Sequence, residues 1–305
     1  MEKSTKFKSV LGTAALIASG AVGAAPMYID VSGIESVNGN TYDYTFGSHT
    51  ADADTQTGIF SEFGFSQFLA TSIYDFTDAS IFGTFSDTND LTTLGGLGIP
   101  ASGPSLGGPN VSLVLPDCVG GQCDIDALSP IVPPLSGDSE GFLGTWDLQA
   151  EYTLNGVLGA SGPTYTSGTF DVYFNSLIDD ADDQLVFSAT LTGSNIQAAN
   201  LDLFFDVEYA LPGFLWVQNS GGYFVDAGLN DLESGAVNPV TLALDTNVNP
   251  PIPTLDQLLL IGTNAIRQTT LDGSVTAQIP VPGTLALLGL GLAGLGSRLR
   301  GRRRA

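Results

Sequence analysis

Apolar and polar residues alternate one by one along much of this chain. Trp146, Leu148, Ala150, Tyr152 and Leu154 fall on one side of an extended segment, and Asp147, Gln149, Glu151 and Thr153 fall on the other. Successive side chains of a strand point to opposite faces, so this pattern marks a strand with one buried face. Leu201, Leu203, Phe205, Val207 and Tyr209 repeat it against Asp202, Phe204, Asp206 and Glu208. Tyr42, Tyr44 and Phe46 do the same after Asn38-Gly39, and shorter runs occupy 170–174, 185–191 and 240–244. Asn38-Gly39 and Asn155-Gly156 supply hairpin turn signals. The expected fold is all-β, an antiparallel β-sandwich in which two sheets each bury one face.

Two stretches depart from this rhythm. Thr254-Leu255-Asp256-Gln257 has the form of a capping box, with Leu255, Leu258 and Leu259 as an apolar stripe and Gly262 at the end. It predicts one short helix. Residues 95–140 crowd Gly95-Gly96, Gly107-Gly108-Pro109, Pro130 and Pro133-Pro134 together and predict a long loop between two β halves. The loop holds both cysteines, Cys118 and Cys123. In an exported chain they read as a small-loop disulfide; half of a metal site is the other reading, and His49 alone leaves such a site short of ligands.

Composition matters chiefly through where the charge lies. The 305 residues carry 32 acidic and 9 basic side chains, for a net charge of −23. Every base except Arg267 is terminal: Lys3, Lys6 and Lys8 at one end, Arg298, Arg300, Arg302, Arg303 and Arg304 at the other. Residues 25–280 therefore hold 31 acids against one Arg. A body of that charge is repelled by nucleic acid, which excludes nucleic-acid binding as a role.

The two ends are addresses. Residues 1–24 have a basic start, an apolar run over 10–22 and small residues at 23–25, the form of a secretory signal peptide. That implies passage through the Sec translocon and removal by signal peptidase. At the other end, Pro280-Val281-Pro282 precedes an uncharged apolar run over 283–297 and then the Arg cluster. Such a run predicts a thin transmembrane helix, with the arginines cytoplasmic and the acidic body outside. The arrangement resembles the PEP-CTERM sorting signal, also known as the ice-binding-protein C-terminal domain. Val281 stands where that family usually has Glu. The resemblance implies recognition by exosortase, a membrane-embedded cysteine protease, and a place at the cell surface or in the extracellular matrix. The expected organisation is thus a signal peptide at 1–24, a β-sandwich body at 25–279 and a sorting segment at 280–305. More loosely, Trp146–Thr153, Gly168–Phe174 and Leu201–Val207 resemble strands of flocculation-associated PEP-CTERM proteins, implying a matrix protein that aggregates cells with exopolysaccharide.

Catalytic parts are scarce. His49, the single histidine, lies in a polar turn, and no Ser stands in a nucleophile-elbow sequence. The expectation is a non-enzyme with a structural or adhesive role. Calcium-dependent carbohydrate binding is the alternative, and a carboxylate-pair glycosidase using Glu62, Glu140, Glu151 or Glu208 is the third reading. Asp179, Asp180, Asp182 and Asp183 form the densest acidic turn and the candidate calcium site, since hard cations select oxygen ligands. Trp216 and Tyr223, in a Gly-rich region, are the candidates for stacking on sugar rings.

Overall fold

The computed structural model describes residues 24–34, 55–75, 83–99, 113, 127–131, 138–177, 183–197, 200–219, 221–228, 240–247 and 252–279. Thirteen strands run through them: β1 (Met27–Ile29), β2 (Glu62–Asp75), β3 (Thr84–Thr88), β4 (Ala127–Ile131), β5 (Trp146–Gly159), β6 (Gly162–Ser176) and β7 (Gln184–Gln197), then β8 (Asn200–Ala210), β9 (Leu215–Gln218), β10 (Phe224–Asp226), β11 (Thr241–Asn247), β12 (Leu259–Ile261) and β13 (Asn264–Gln278). β1, β9 and β10 make a small sheet, and the other ten strands make a large one.

Every pairing between strands of the large sheet is antiparallel. Its order runs β13-β11-β8-β7-β6-β5-β3-β2, and β2 then pairs with β13 from Asp75↔Asn264 to Phe63↔Val275. The sheet therefore closes on itself as a barrel. β3 and β4 share one place in the ring. β3 lies against Thr71–Asp75 of β2, while β4 lies against Glu62–Gly64 of the same strand. The all-β, antiparallel expectation holds. The two walls face each other over a common core as sandwich faces do, but they belong to one curled sheet.

The curl has local causes. Bulges interrupt the ladders at Asn155/Gly156, Val172/Tyr173, Ser188/Ala189, Leu191/Gly193 and Leu271/Gly273. Bulges bend strands and strengthen twist, which is how an antiparallel sheet turns corners. Gly156 is one such corner rather than the expected hairpin turn. β5 continues to Gly159 and turns at Ala160-Ser161. A Cβ on residue 156 would meet the Thr164 carbonyl oxygen at 2.3 Å and the Phe85 ring at 2.9 Å. The bulge on β8 also changes which way Tyr209 points. Ser188 pairs with Tyr209 and Ala189 with Val207, so Glu208 is the extra residue. Beyond it the phase flips: Ala210 is buried and Tyr209 is exposed.

The alternation otherwise reads through to the core. Trp146, Leu148, Ala150, Tyr152 and Leu154 are buried, as are Phe170, Val172, Phe174, Leu201, Leu203, Phe205, Leu242 and Leu244. The small sheet adds Met27, Ile29, Leu215 and Val217 to this same core. Trp146 stacks on Phe174 at 5.0 Å, and Phe174 meets Phe214 edge-on at 6.4 Å, so the small sheet covers the end of the barrel where β5 begins.

The helix expected after Thr254 does not form. Its capping bond does: the Thr254 N–H donates to Gln257 Oε1 at 3.0 Å. Only one 3-10 turn follows, Leu255–Gln257, because the next residues leave it as β12 and pair with β13 across Gly262. Among the described residues the α-helix is instead α1, Leu91–Gly96, capped by Asp90, whose carboxylate accepts from Thr92 N at 3.2 Å and Thr93 N at 2.9 Å. α1 packs Leu94 with Ile99, Leu113 and Ile266 in a second cluster on the outside of the β2–β13 seam. Within the stretch expected as loop, residues 127–131 form β4. Among the described residues no helix is long and apolar enough to cross a membrane. Residues 1–23 of the signal segment 1–24, both cysteines and residues 280–305 lie outside the described residues.

Candidate functional site

Alternation gives the small sheet one buried face and one outer face. β1 buries Met27 and Ile29 and turns Tyr28 outward; β9 buries Leu215 and Val217 and turns Trp216 outward. Tyr28 and Trp216 are direct partners across the two strands. Their rings lie nearly parallel, 7° apart in tilt with centroids 5.8 Å apart. Phe224 of β10 closes on Tyr28 edge-on at 5.0 Å. All three rings are half-buried, and Tyr223 beside them is 74% exposed.

Hydrogen bonds brace Trp216 and the loops that flank the band. Trp216 Nε1 donates to the Gly213 carbonyl at 2.9 Å, and the Gly213 N–H donates to Asp226 Oδ2 at 2.7 Å. Asp226 Oδ1 accepts from Gly228 N at 2.8 Å. The tip carrying Tyr223 is an Asx turn: Asn219 Oδ1 accepts from Gly221 N at 2.9 Å and Tyr223 N at 3.1 Å. Burial first, then the carboxylates of Asp30 and Asp226, push the Tyr28 hydroxyl above its usual range, so it stays protonated and able to donate. Two of these residues, Trp216 and Tyr223, were singled out from the sequence. Tyr28 and Phe224 were missed, because their chain neighbours give no sign that 28 and 216 would meet.

A second arrangement lies inside the barrel. Arg267 pairs with Ser72, and Ser72 with Asp87, so the three sit side by side on β13, β2 and β3. Arg267, Ser72 and Asp87 are all buried. Tyr165 donates to Asp87 Oδ2, while Oδ1 is buried and accepts no hydrogen bond. Burial raises the Asp87 carboxyl to about 6; Ser72, Tyr165 and the Arg267 charge act the other way and do not cancel it. The Tyr165 and Tyr152 hydroxyls are pushed well above the usual range, by burial first and by Asp87 second. The sequence offered one hint of this row, the isolation of Arg267 as the body's one base.

The remaining candidates are scattered. Glu151 faces outward directly across from Asp171, and its carboxyl is raised by burial and then by Asp90 and Asp171. Glu208 is exposed on β8, Glu62 starts β2, and Glu140 is buried in the turn before β5. Of the acidic turn, Asp179, Asp180 and Asp182 lie outside the described residues and Asp183 is exposed just before β7. Among the described residues no group of three or more His, Cys, Asp or Glu could hold a metal ion. His49, Cys118, Cys123, Pro280, Val281, Pro282 and the Arg cluster lie outside the described residues.

No curated protein and no solved structure matches the chain. Residues 278–304 match the family model of the PEP-CTERM protein-sorting motif. Signals of this kind are recognised by exosortase and imply an exported protein. The chain carries a PEP-CTERM protein-sorting motif, and it begins where the last strand of the barrel ends.

Proposed function

We propose that this is an exosortase-sorted protein of the cell surface or extracellular matrix, which works by adhesion to exopolysaccharide in biofilm or flocculation and not by catalysis. The observation that carries the adhesive part is the aromatic band of Tyr28, Trp216 and Phe224 on the outer face of the small sheet. The C–H face of a sugar ring packs well on a flat aromatic ring, and rings already held by mutual packing and, at Trp216, by a hydrogen bond lose little freedom on binding. The acidic body favours neutral polysaccharide, or anionic polysaccharide bridged by a divalent cation. Calcium-dependent carbohydrate binding differs from this reading only in requiring the cation, with Asp179–Asp183 as its place in the sequence.

The test is pull-down of the purified protein on neutral and acidic polysaccharides, with Ca²⁺ and with chelator. Tyr28→Ala and Trp216→Ala should each cut retention at least tenfold while leaving the melting temperature of the barrel nearly unchanged. Retention equal to wild type in both variants would overturn the role of the band. Retention that vanishes with chelator selects the calcium-dependent form. Deleting residues 280–305 tests sorting separately, and is expected to send the protein into the medium and disperse cell aggregates.

A further inference from the structure

Both ends of the body leave the barrel at one pole. β13 finishes at Gln278, and the Ala25 N–H donates to the Ala277 carbonyl oxygen at 3.1 Å. The antiparallel order of the sheet places the end of β13 with the start of β11, the end of β8 and the start of β5. This is the pole that the small sheet covers. Ala25 directly follows the signal segment, and only the four residues 279–282 separate β13 from the apolar run over 283–297. Four residues reach at most about 14 Å when fully extended. A tether of that length leaves no room for another folded domain between this pole and a bilayer entered at residue 283.

The outer side of the same pole is apolar. Leu143 and Leu177 are both exposed at the mouth of the barrel, where their N–H groups donate to the adjacent carbonyls of Trp146 and Thr145 at 2.7 and 2.8 Å. Ile59 is exposed too; it precedes Phe60, which is bridged to Met27, so it extends the line of Tyr28 and Trp216. Tyr223 stands out at the tip of the Asx turn. Exposed aliphatic groups beside Trp and Tyr suit the boundary between headgroups and acyl chains, where one end of such a ring is dry and the other wet. The acids nearest the Tyr28 ring already have donors: Ser32 N and Thr55 Oγ1 for Asp30, Gly213 N and Gly228 N for Asp226. An anionic surface is repelled by the rest of the body, which leaves a zwitterionic one as the match.

We propose that, while the sorting segment is uncut, this pole rests on a zwitterionic bilayer, with Ile59, Leu143, Leu177 and Tyr223 in the interfacial layer and Trp216 beside them. The contact rests on the sorting reading, which puts residues 283–297 in the membrane, and does not depend on sugar binding by the band. The chain's two tryptophans report it, since Trp146 is fully buried and Trp216 lies half-buried on the outer face of the small sheet. Full-length protein is reconstituted into phosphatidylcholine vesicles, plain or brominated near the headgroup end of the acyl chains, floated, and its tryptophan emission measured. Brominated lipid is expected to quench wild type and to leave Trp216→Phe unchanged. Leu143→Asp combined with Leu177→Asp should cut the quenching at least twofold, without altering flotation or retention on polysaccharide. Leu143 has φ of 60°, a conformation that Asp adopts more readily than Leu. Protein that floats but emits equally on plain and brominated lipid would overturn the contact and leave the sorting reading standing. Protein that does not float overturns both. Quenching that persists undiminished in the double variant, or in Trp216→Phe, also rules the contact out. If the double variant does not fold, wild type against Trp216→Phe decides alone.

Discussion

A single buried carboxyl sets one pH response of the whole fold. Asp87 titrates near 6 in the folded protein against an ordinary value of 3.8. The folded state therefore holds that proton more tightly than the unfolded chain does. The stability it contributes is fully present below the unfolded value and is lost as pH rises through about 6. A displacement of that size corresponds to about 3 kcal/mol. The melting temperature of wild type should fall relative to that of Asp87→Asn between pH 4 and pH 7, and a parallel pair of curves would contradict this. Gly156 makes a different demand. Gly156→Ala places a methyl 2.3 Å from the Thr164 oxygen and should cost about 1–3 kcal/mol, measurable by denaturant unfolding. Neither role was legible in sequence. Asn155-Gly156 reads as a turn because the dipeptide is the same for a turn and for a bulge. Asp87 shares the face of Phe85 on β3, but nothing in that short strand announces the Ser72 and Arg267 that the fold brings beside it.

Elements obeyed the periodicity more closely than they obeyed the local signals. β5 is legible almost residue by residue, because one face is buried throughout and the period of two admits no slip. The Thr254 capping box is a true signal without a helix, since the strand-forming Leu259-Leu260-Ile261 finds β13 before a second turn closes. Helix nucleation is costly, and one turn does not recover it when a sheet edge competes. α1 shows the converse. Gly95 and Gly96 argue against a helix, yet Asp90 caps it and Leu94 anchors it on Ile266. Asp90→Ala should cost about 1 kcal/mol. The Thr93 hydroxyl lowers the Asp90 carboxyl most; burial comes second and opposes it, and the Thr93 and Thr92 N–H groups lower it further. The cap's contribution is therefore present above 3.8 and lost as pH falls through the lower folded value. Comparing Asp90→Ala with wild type at pH 6 and at pH 2.5 should show the difference shrinking in acid.

At the scale of the molecule, the all-β class was readable and the closure was not. Strand alternation says that one face is buried; it does not say whether the partner face belongs to a second sheet or to the same one. The answer rests on Ser72 meeting Arg267, a pairing between residues near opposite ends of the body. Charge acts at this scale too. Thirty-one acids against one Arg over residues 25–280 repel one another in the compact state more than in the unfolded chain. Raising ionic strength from about 10 to 150 mM shortens the Debye length from ~30 to ~8 Å and should raise the melting temperature of the body. A flat salt response would show that the acids lie far enough apart on the barrel for their repulsion to be negligible.

The seam between β2 and β13 has a consequence for how this protein comes into being. Synthesis and export deliver β2 early and β13 last, so the ring stays unfinished until nearly the whole body has emerged. Pairings of such long sequence separation form slowly. Until then both seam strands expose unpaired edges, the kind that recruit other chains. The sorting motif starts at residue 278, on the final residue of the seam strand. Whatever grips that motif is holding the end of the strand that closes the barrel, and a cut deep within that strand would loosen the seam along with removing the label.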